Sequence, residues 1–215
     1  VLIGGVAEII PSILTQHAVP ASQGGQLPYS ALELEGRDIY VREGCYLCHS
    51  QMIRPFLVES QRYGAVSRIG DSQYDHPFQW GSRRTGPDLA REGGRNPNAW
   101  HYRHLLDPRS TSNGLSIMPA YPSLATTSID FTRTPDKMIA MQIVGVPYTD
   151  RQIARGTASA RRQASAIVTD LSAAGFRANP NSEIIALIAY LQRLGRGPQD
   201  TSTGPSATAP AATTP

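Results

Sequence analysis

This chain of 215 residues has two cysteines and one lysine. So few thiols leave no second C-x-x-C knuckle, and the four-ligand zinc site that would need one is excluded. Lys137 stands alone, so no dense basic block exists for nucleic acid, and a net charge of +3 is only mildly basic. A full-length apolar run is missing at the start: residues 1–14 (VLIGGVAEIIPSIL) are interrupted by Glu8 and Pro11, whereas a spanning helix needs about 20 apolar residues. There is no internal repeat and no GxSxG, Walker or HExxH motif, which removes the chemistries those motifs carry. What is abundant is Gly (19) and Pro (17) at 40% hydrophobic content. That balance describes a loop-rich globular chain, in which a bound prosthetic group can supply apolar core the chain itself lacks.

The stretch Cys45-Tyr46-Leu47-Cys48-His49 supplies such a group. C-x-x-C-H is the spacing for covalent c-type haem attachment. Two thiols one turn apart can each bond a haem vinyl group, and the histidine that follows comes up beneath the ring as proximal iron ligand. A redox dithiol is the main alternative, but it belongs in a βαβ context, and the flanks here read as helical. One covalent haem c is therefore expected. Its attachment implies the outer side of a bacterial or organellar inner membrane.

Along the chain, residues 1–14 read either as the outer half of a transmembrane anchor or as a buried helix or signal-peptide tail. Residues 15–29 form a polar linker, 30–197 a haem domain, and 198–215 a low-complexity tail expected to be disordered. Ser30 and Glu33 make a capping box that opens a helix over 31–43. Gly36 and Tyr40 share one of its faces, and the glycine invites close helix packing. Residues 50–95 lack helical period and are expected to be loops around a haem or against a partner. His76 reads as a turn residue. Asn96-Pro97 is expected to cap a helix over 97–106, whose His101 and His104 belong to its polar surface or to the haem edge. Helical runs follow at 135–144, from Thr149 through Ala154, and at 164–171. A last helix over 180–194 is capped by Asn179 and closed by Gly195.

A distal iron ligand is sought among four methionines. Met118 lies in a loop stiffened by Pro119 and Pro122, and its soft thioether suits iron. Met52 is too near His49 to reach the other face, and Met138 and Met141 read as core. His17, His76, His101 and His104 are the bis-histidine alternatives. Near the TGPDL stretch, Arg83, Arg84 and Trp80 are placed to receive haem propionates, although the arginines can equally be solvated surface. Arg54-Pro55-Phe56 and residues 74–80 suit a subunit interface.

The order helix, C-x-x-C-H, loops, methionine loop, final helix resembles a class I cytochrome c domain: mainly α, with long loops. Gly36 and Tyr40 match that family's first helix, and residues 187–191 (LIAYL) match the last helix it packs across. Pro87 matches the proline whose carbonyl fixes the proximal histidine's Nδ1–H. Between residues 32 and 148 the runs LEGRDIYVREGCYLCHSQMIRPF, YDHPFQWGSRRTGPDLAREGGR, MPAYP and MIAMQIVGVPYT are similar to the monohaem cytochrome subunit of the cbb3-type haem-copper oxidases.

That resemblance implies a single N-terminal anchor in the bacterial inner membrane, to which GGVAEIIP is similar, with the haem domain in the periplasm. It implies haem c ligated by His49 and Met118. Electrons would come from a dihaem cytochrome c subunit and leave to haem b of the catalytic haem-copper subunit, which reduces dioxygen and pumps protons. The chain itself would catalyse nothing, and filled axial positions argue against a gas sensor or haem enzyme. The monohaem subunit of a nitric oxide reductase and a free carrier cytochrome are the alternatives. Departures from the family fall at the ends: the incomplete anchor, a longer segment over 151–177, and the Pro/Ala/Thr tail.

Overall fold

A computed structural model describes residues 3, 4, 6, 7, 10, 27–81 and 83–196. Most of the expected linker, His17, Ser82 and the tail from residue 197 lie outside the described residues, as does most of the anchor stretch. The described residues of that stretch are helical and exposed. Among the described residues no helix is long and apolar enough to cross a membrane.

The described chain is mainly helical. Helix α1 (Ala31–Arg42) begins at the expected capping box: Ser30 Oγ accepts from the Glu33 N–H, and Glu33 accepts in return from the Ser30 N–H. A single 3-10 turn, Cys45–Leu47, follows. The stretch expected to be loop contains a short helix, α2 (Leu57–Tyr63). Helix α3 (Asn98–Leu106) starts one residue later than expected, with Pro97 at the N-cap. The Asn96 amide turns away and donates to Glu92 at 2.8 Å. The short α4 (Ser123–Thr126) precedes α5 (Thr134–Ile143), whose Met138 is buried. Thr149 caps α6 (Asp150–Ala154), again by a capping box. Helix α7 (Gly156–Ala173) runs well beyond the expected segment, and α8 (Glu183–Arg193) is capped by Ser182 instead of Asn179. Among the described residues there is no strand, only one isolated bridge between Ser128 and Ser182.

Helix α8 is buried from Glu183 to Leu191. A helix apolar on all sides is one enclosed by its neighbours, and here α1, α3, α4 and α7 pack around it. The closest approach is at Gly36. A Cβ there would lie 2.0 Å from the Ala186 carbonyl oxygen and 2.8 Å from the Tyr190 Cβ. No side chain fits, so the bare glycine lets the two backbones touch. Tyr40 flanks the crossing, with its ring 5.3 Å from that of Tyr190. At one end of the pair, Arg42 binds Glu183 in the first turn of α8.

A buried ion pair ties the loop region to this core. Asp75 accepts from Arg37 Nε at 3.2 Å and from the Tyr29 hydroxyl at 3.0 Å, while Arg37 also donates to the Pro77 carbonyl at 3.0 Å. Removing one partner would strand a buried charge, at a cost of about 3–5 kcal/mol. The pairing therefore holds residues 75–77 firmly against α1, and so fixes where the chain turns back toward His49.

Candidate haem site

Helix α1 delivers the two cysteines. It ends at Arg42, and Gly44, at φ 70°, turns the chain so that Cys45–Leu47 winds as one 3-10 turn with His49 just after it. The backbone closes on itself there, His49 N–H donating to the Cys45 carbonyl at 2.9 Å. Cys45 and Cys48 are both free thiols, the first half-buried and the second exposed. Burial, and after it the Glu43 carboxylate, push the Cys45 thiol up to about 12. A redox dithiol needs a thiolate near neutral pH, so this environment disfavours that reading. Among the described residues no three His, Cys, Asp or Glu converge as ligands for a bare metal ion.

Trp80 and the loop over residues 83–90 fold back beneath the turn. Gln51 N–H donates to the Trp80 carbonyl at 2.8 Å, Gly86 N–H to the Cys48 carbonyl at 2.9 Å, and Leu89 N–H to the Ser50 carbonyl at 2.8 Å. These bonds bring Pro87 under the imidazole, and His49 Nδ1 lies 2.8 Å from the Pro87 carbonyl oxygen. A carbonyl can only accept, so Nδ1 carries the hydrogen and Nε2 keeps its lone pair. Burial lowers the His49 pKa below the ordinary imidazole value, against the opposing pull of Pro87 and Asp88. The ring is thus neutral and available at neutral pH. Gly86 completes the cradle: a Cβ there would lie 2.3 Å from His49 Cε1.

Asp88 is buried and anchors this loop. It accepts from the Ser50 hydroxyl at 2.6 Å, the Met52 N–H at 2.9 Å and the Ala90 N–H at 2.8 Å. Arg84 sits over the same group, 3.5 Å from Asp88, and donates to Ser50 Oγ and to the Met52 carbonyl. Its guanidinium also pairs with Glu59, which Arg54 grips from the other side. Arg84 thus binds the chain's own acceptors, whereas Arg83 is exposed. Trp80 is 42% exposed, stacks on Phe78 at 4.5 Å, and donates from Nε1 to Ser72 Oγ at 2.9 Å. The Glu59–Arg84 link joins α2 to the loop beneath His49, and nothing in the sequence spacing announced it.

Met118 is half-buried against the hydrophobic core, its N–H held by Ser116 Oγ at 3.2 Å. Its loop ends at Tyr121, whose N–H donates to the Leu105 carbonyl at 2.8 Å. Burial first, then the neighbouring Cys45 and Cys48 thiols, raise the Tyr121 phenol's pKa. The methionine loop therefore finishes against the last turn of α3. His101 is buried 3.6 Å from Glu92, and His76 lies in the Asp75–Pro77 turn.

The family model described as cytochrome c oxidase, mono-heme subunit/FixO matches residues 1–197. The chain belongs to this family. No curated protein sequence matches the chain. Membership of the FixO family makes it a monohaem subunit of a cytochrome c oxidase, working in electron transfer within an oxidase complex. That sets it apart from the nitric oxide reductase subunit and the free carrier. One haem follows from the family description. The residues present fit that group: two unpaired thiols, an imidazole with its Nε2 lone pair kept, and a glycine cradle that leaves the ring no side-chain neighbour at position 86.

Proposed function

We propose that this FixO subunit carries one covalent haem c in a class I cytochrome c domain. Cys45 and Cys48 would hold it by thioether bonds, and His49 and Met118 would ligate its iron. The observation that carries this reading is the 2.8 Å hydrogen bond from His49 Nδ1 to the Pro87 carbonyl directly behind the two thiols. It fixes the tautomer and the ring orientation that a proximal ligand needs. When bound, the haem would supply a one-electron iron couple, through which the subunit would pass electrons from a dihaem cytochrome subunit to haem b of the catalytic haem-copper subunit.

The protein's own contributions are binding, orientation and docking. Asp88, with Arg84 holding it, keeps the loop that presents Pro87. Arg83, exposed beside that loop, is the group for the propionates, since the single indole N–H of Trp80 is already given to Ser72. A thioether on the distal side raises the reduction potential relative to a second imidazole. Phe56, Leu57, Val58, Ile69 and Trp80 are large apolar side chains left exposed between residues 56 and 80. Exposed apolar side chains of this kind support a docking face for the catalytic subunit on this stretch of the chain. The domain is proposed to stand in the periplasm, tethered to the inner membrane through residues 1–14.

Replacing the thioether tests the ligand assignment. Met118→His in the haem-loaded subunit should remove the sulfur-to-iron charge-transfer band and lower the potential. A band that persists in the variant would place the sulfur ligand elsewhere.

A further inference from the structure

The outward face of α6 and α7 gathers positive charge that the fold does not use. Arg151, Arg155, Arg161 and Arg162 are all exposed, and no acid occurs between residues 151 and 169. With Asp150 at the edge, four cations and one acid leave this face a net +3, the same as the entire chain. The rest of the sequence therefore balances to zero. Among the described residues none of the four guanidinium groups makes a salt bridge or a hydrogen bond.

Helix geometry puts the four together. Ile153, Gly156, Ala160, Ala164 and Ile167 turn inward. Arg155 and Arg162, two turns apart, share the opposite side, with Arg161 next to them. Arg151 lies one turn before Arg155, whose N–H donates to the Arg151 carbonyl at 3.3 Å. Asp130 adjoins the start of α7, where the Phe131 carbonyl accepts from Thr157 Oγ1 at 2.9 Å. Its carboxylate accepts from the Thr132 N–H and hydroxyl, at 3.0 and 2.7 Å, and Arg133 on the same turn offsets its charge.

The position of the face selects its partner. The chain enters the domain against α7: Ser30 Oγ donates to Gln163 Oε1 at 2.7 Å, and Gln163 donates to Glu33 at 3.2 Å. Gln163 directly follows Arg161 and Arg162. Residues 15–29, which lead in from the stretch 1–14, reach roughly 50 Å at most. The tether thus joins the domain beside the arginine face. The chain's own ends cannot neutralise that face, since residues 1–26 and 198–215 hold only Glu8 and Asp200 as acids.

We propose that the α6–α7 face rests on the anionic phospholipid surface of the membrane to which the chain is tethered, its guanidinium groups pairing with lipid phosphates. This rests on the reading of residues 1–14 as the tether. A guanidinium offers a planar fork of donors and keeps its charge throughout the physiological range, which suits a phosphate. One point of attachment leaves a domain free to turn. A second, charged contact fixes which side faces the bilayer.

The test places the haem-loaded full-length chain with vesicles of phosphatidylcholine alone, or of phosphatidylcholine with phosphatidylglycerol. Two readings are taken: co-sedimentation, and the rate at which phenylglyoxal modifies each arginine, followed by mass spectrometry. On the anionic vesicles Arg151, Arg155, Arg161 and Arg162 should react several-fold more slowly than on the neutral ones, and high salt should remove the difference. Arg62 on α2, also exposed, should react alike on both. Arg155→Gln with Arg161→Gln and Arg162→Gln should lose about 100-fold of the extra affinity for anionic vesicles, at about fivefold per arginine. A chain that sediments with both kinds of vesicle and shows no selective protection overturns the lipid contact and leaves the tether standing. A chain that sediments with neither overturns the tether and the contact together. Protection that appears on neutral vesicles only after other oxidase subunits are added assigns the face to an acidic protein surface, and also overturns the proposal.

Discussion

Gly36 of α1 meets Ala186 of α8 so closely that a Cβ would stand 2.0 Å from the Ala186 carbonyl oxygen. This contact sets the distance between the helix that delivers the cysteines and the helix that forms the core. Gly36→Ala should force the helices apart. Overpacking of about 3 kcal/mol, set against about 1 kcal/mol of gained helix propensity, leaves a net loss of about 2 kcal/mol. Thermal unfolding of the haem-loaded chain measures it, and an unchanged midpoint would show the crossing to be slack.

Gly86 guards the proximal ring in the same way. In Gly86→Ala the new Cβ would collide with the His49 imidazole, so the ring must turn and its bond to Pro87 must lengthen. Outer-shell changes of this kind typically weaken metal ligation by about 10–100-fold. The expected result is a haem still attached through Cys45 and Cys48 but with a shifted potential and a weakened low-spin spectrum. A wild-type potential in this variant would mean that the ring has room the structure does not show.

Glu59 gives a pH signature. Arg84 first, then Arg54, hold its carboxyl down at about 2 from an ordinary 4.5, against the opposing effect of burial. A carboxylate whose folded pKa is depressed adds stability above its unfolded pKa and loses it as pH falls through the folded one. Glu59→Gln should therefore be less stable than wild type at neutral pH. That gap should narrow from about pH 4.5 downward and close near pH 2. Denaturant midpoints across this range check it, and a gap independent of pH would refute the ion-pair account.

The start of α2 should matter for the partner and not for the cofactor. Phe56 and Leu57 are 58% and 72% exposed. Truncating both, Phe56→Ala with Leu57→Ala, should slow haem b reduction in the assembled complex by about tenfold, the effect of losing one or two interface anchors. The haem c spectrum should not change. Equal rates in rapid-mixing experiments would move the docking face elsewhere.

Features written in local spacing were legible in the sequence. The Ser30–Glu33 and Thr149–Gln152 capping boxes lie where the spacing placed them, because each is closed within one turn. The glycine and tyrosine of α1 announced a close helix crossing for the same reason. Helix α2 was not legible: its apolar residues Leu57 and Val58 face outward, and Glu59 anchors it to Arg54 and Arg84. An ion pair spanning 25 positions leaves no period. Helix α7 was expected to be shorter because its buried stripe begins with Gly156, Ala160 and Ala164, residues that pack well but carry little hydropathic signal. The caps at Asn96 and Asn179 moved because both asparagines found other uses. Asn96 binds Glu92, and Asn179 closes a turn onto Asn181 and Ser182. At the site, the Cys45–His49 turn was readable by itself, but the acceptors that engage Arg84 come from three separate parts of the chain.

One covalent haem held by Cys45 and Cys48 is the central requirement of this function. Haem staining of the chain on a denaturing gel, beside the Cys45→Ala, Cys48→Ala double variant, tests this directly. The native sequence should give a stained band and the double variant none. A native chain that runs unstained, or a double variant that keeps its stain, would contradict it.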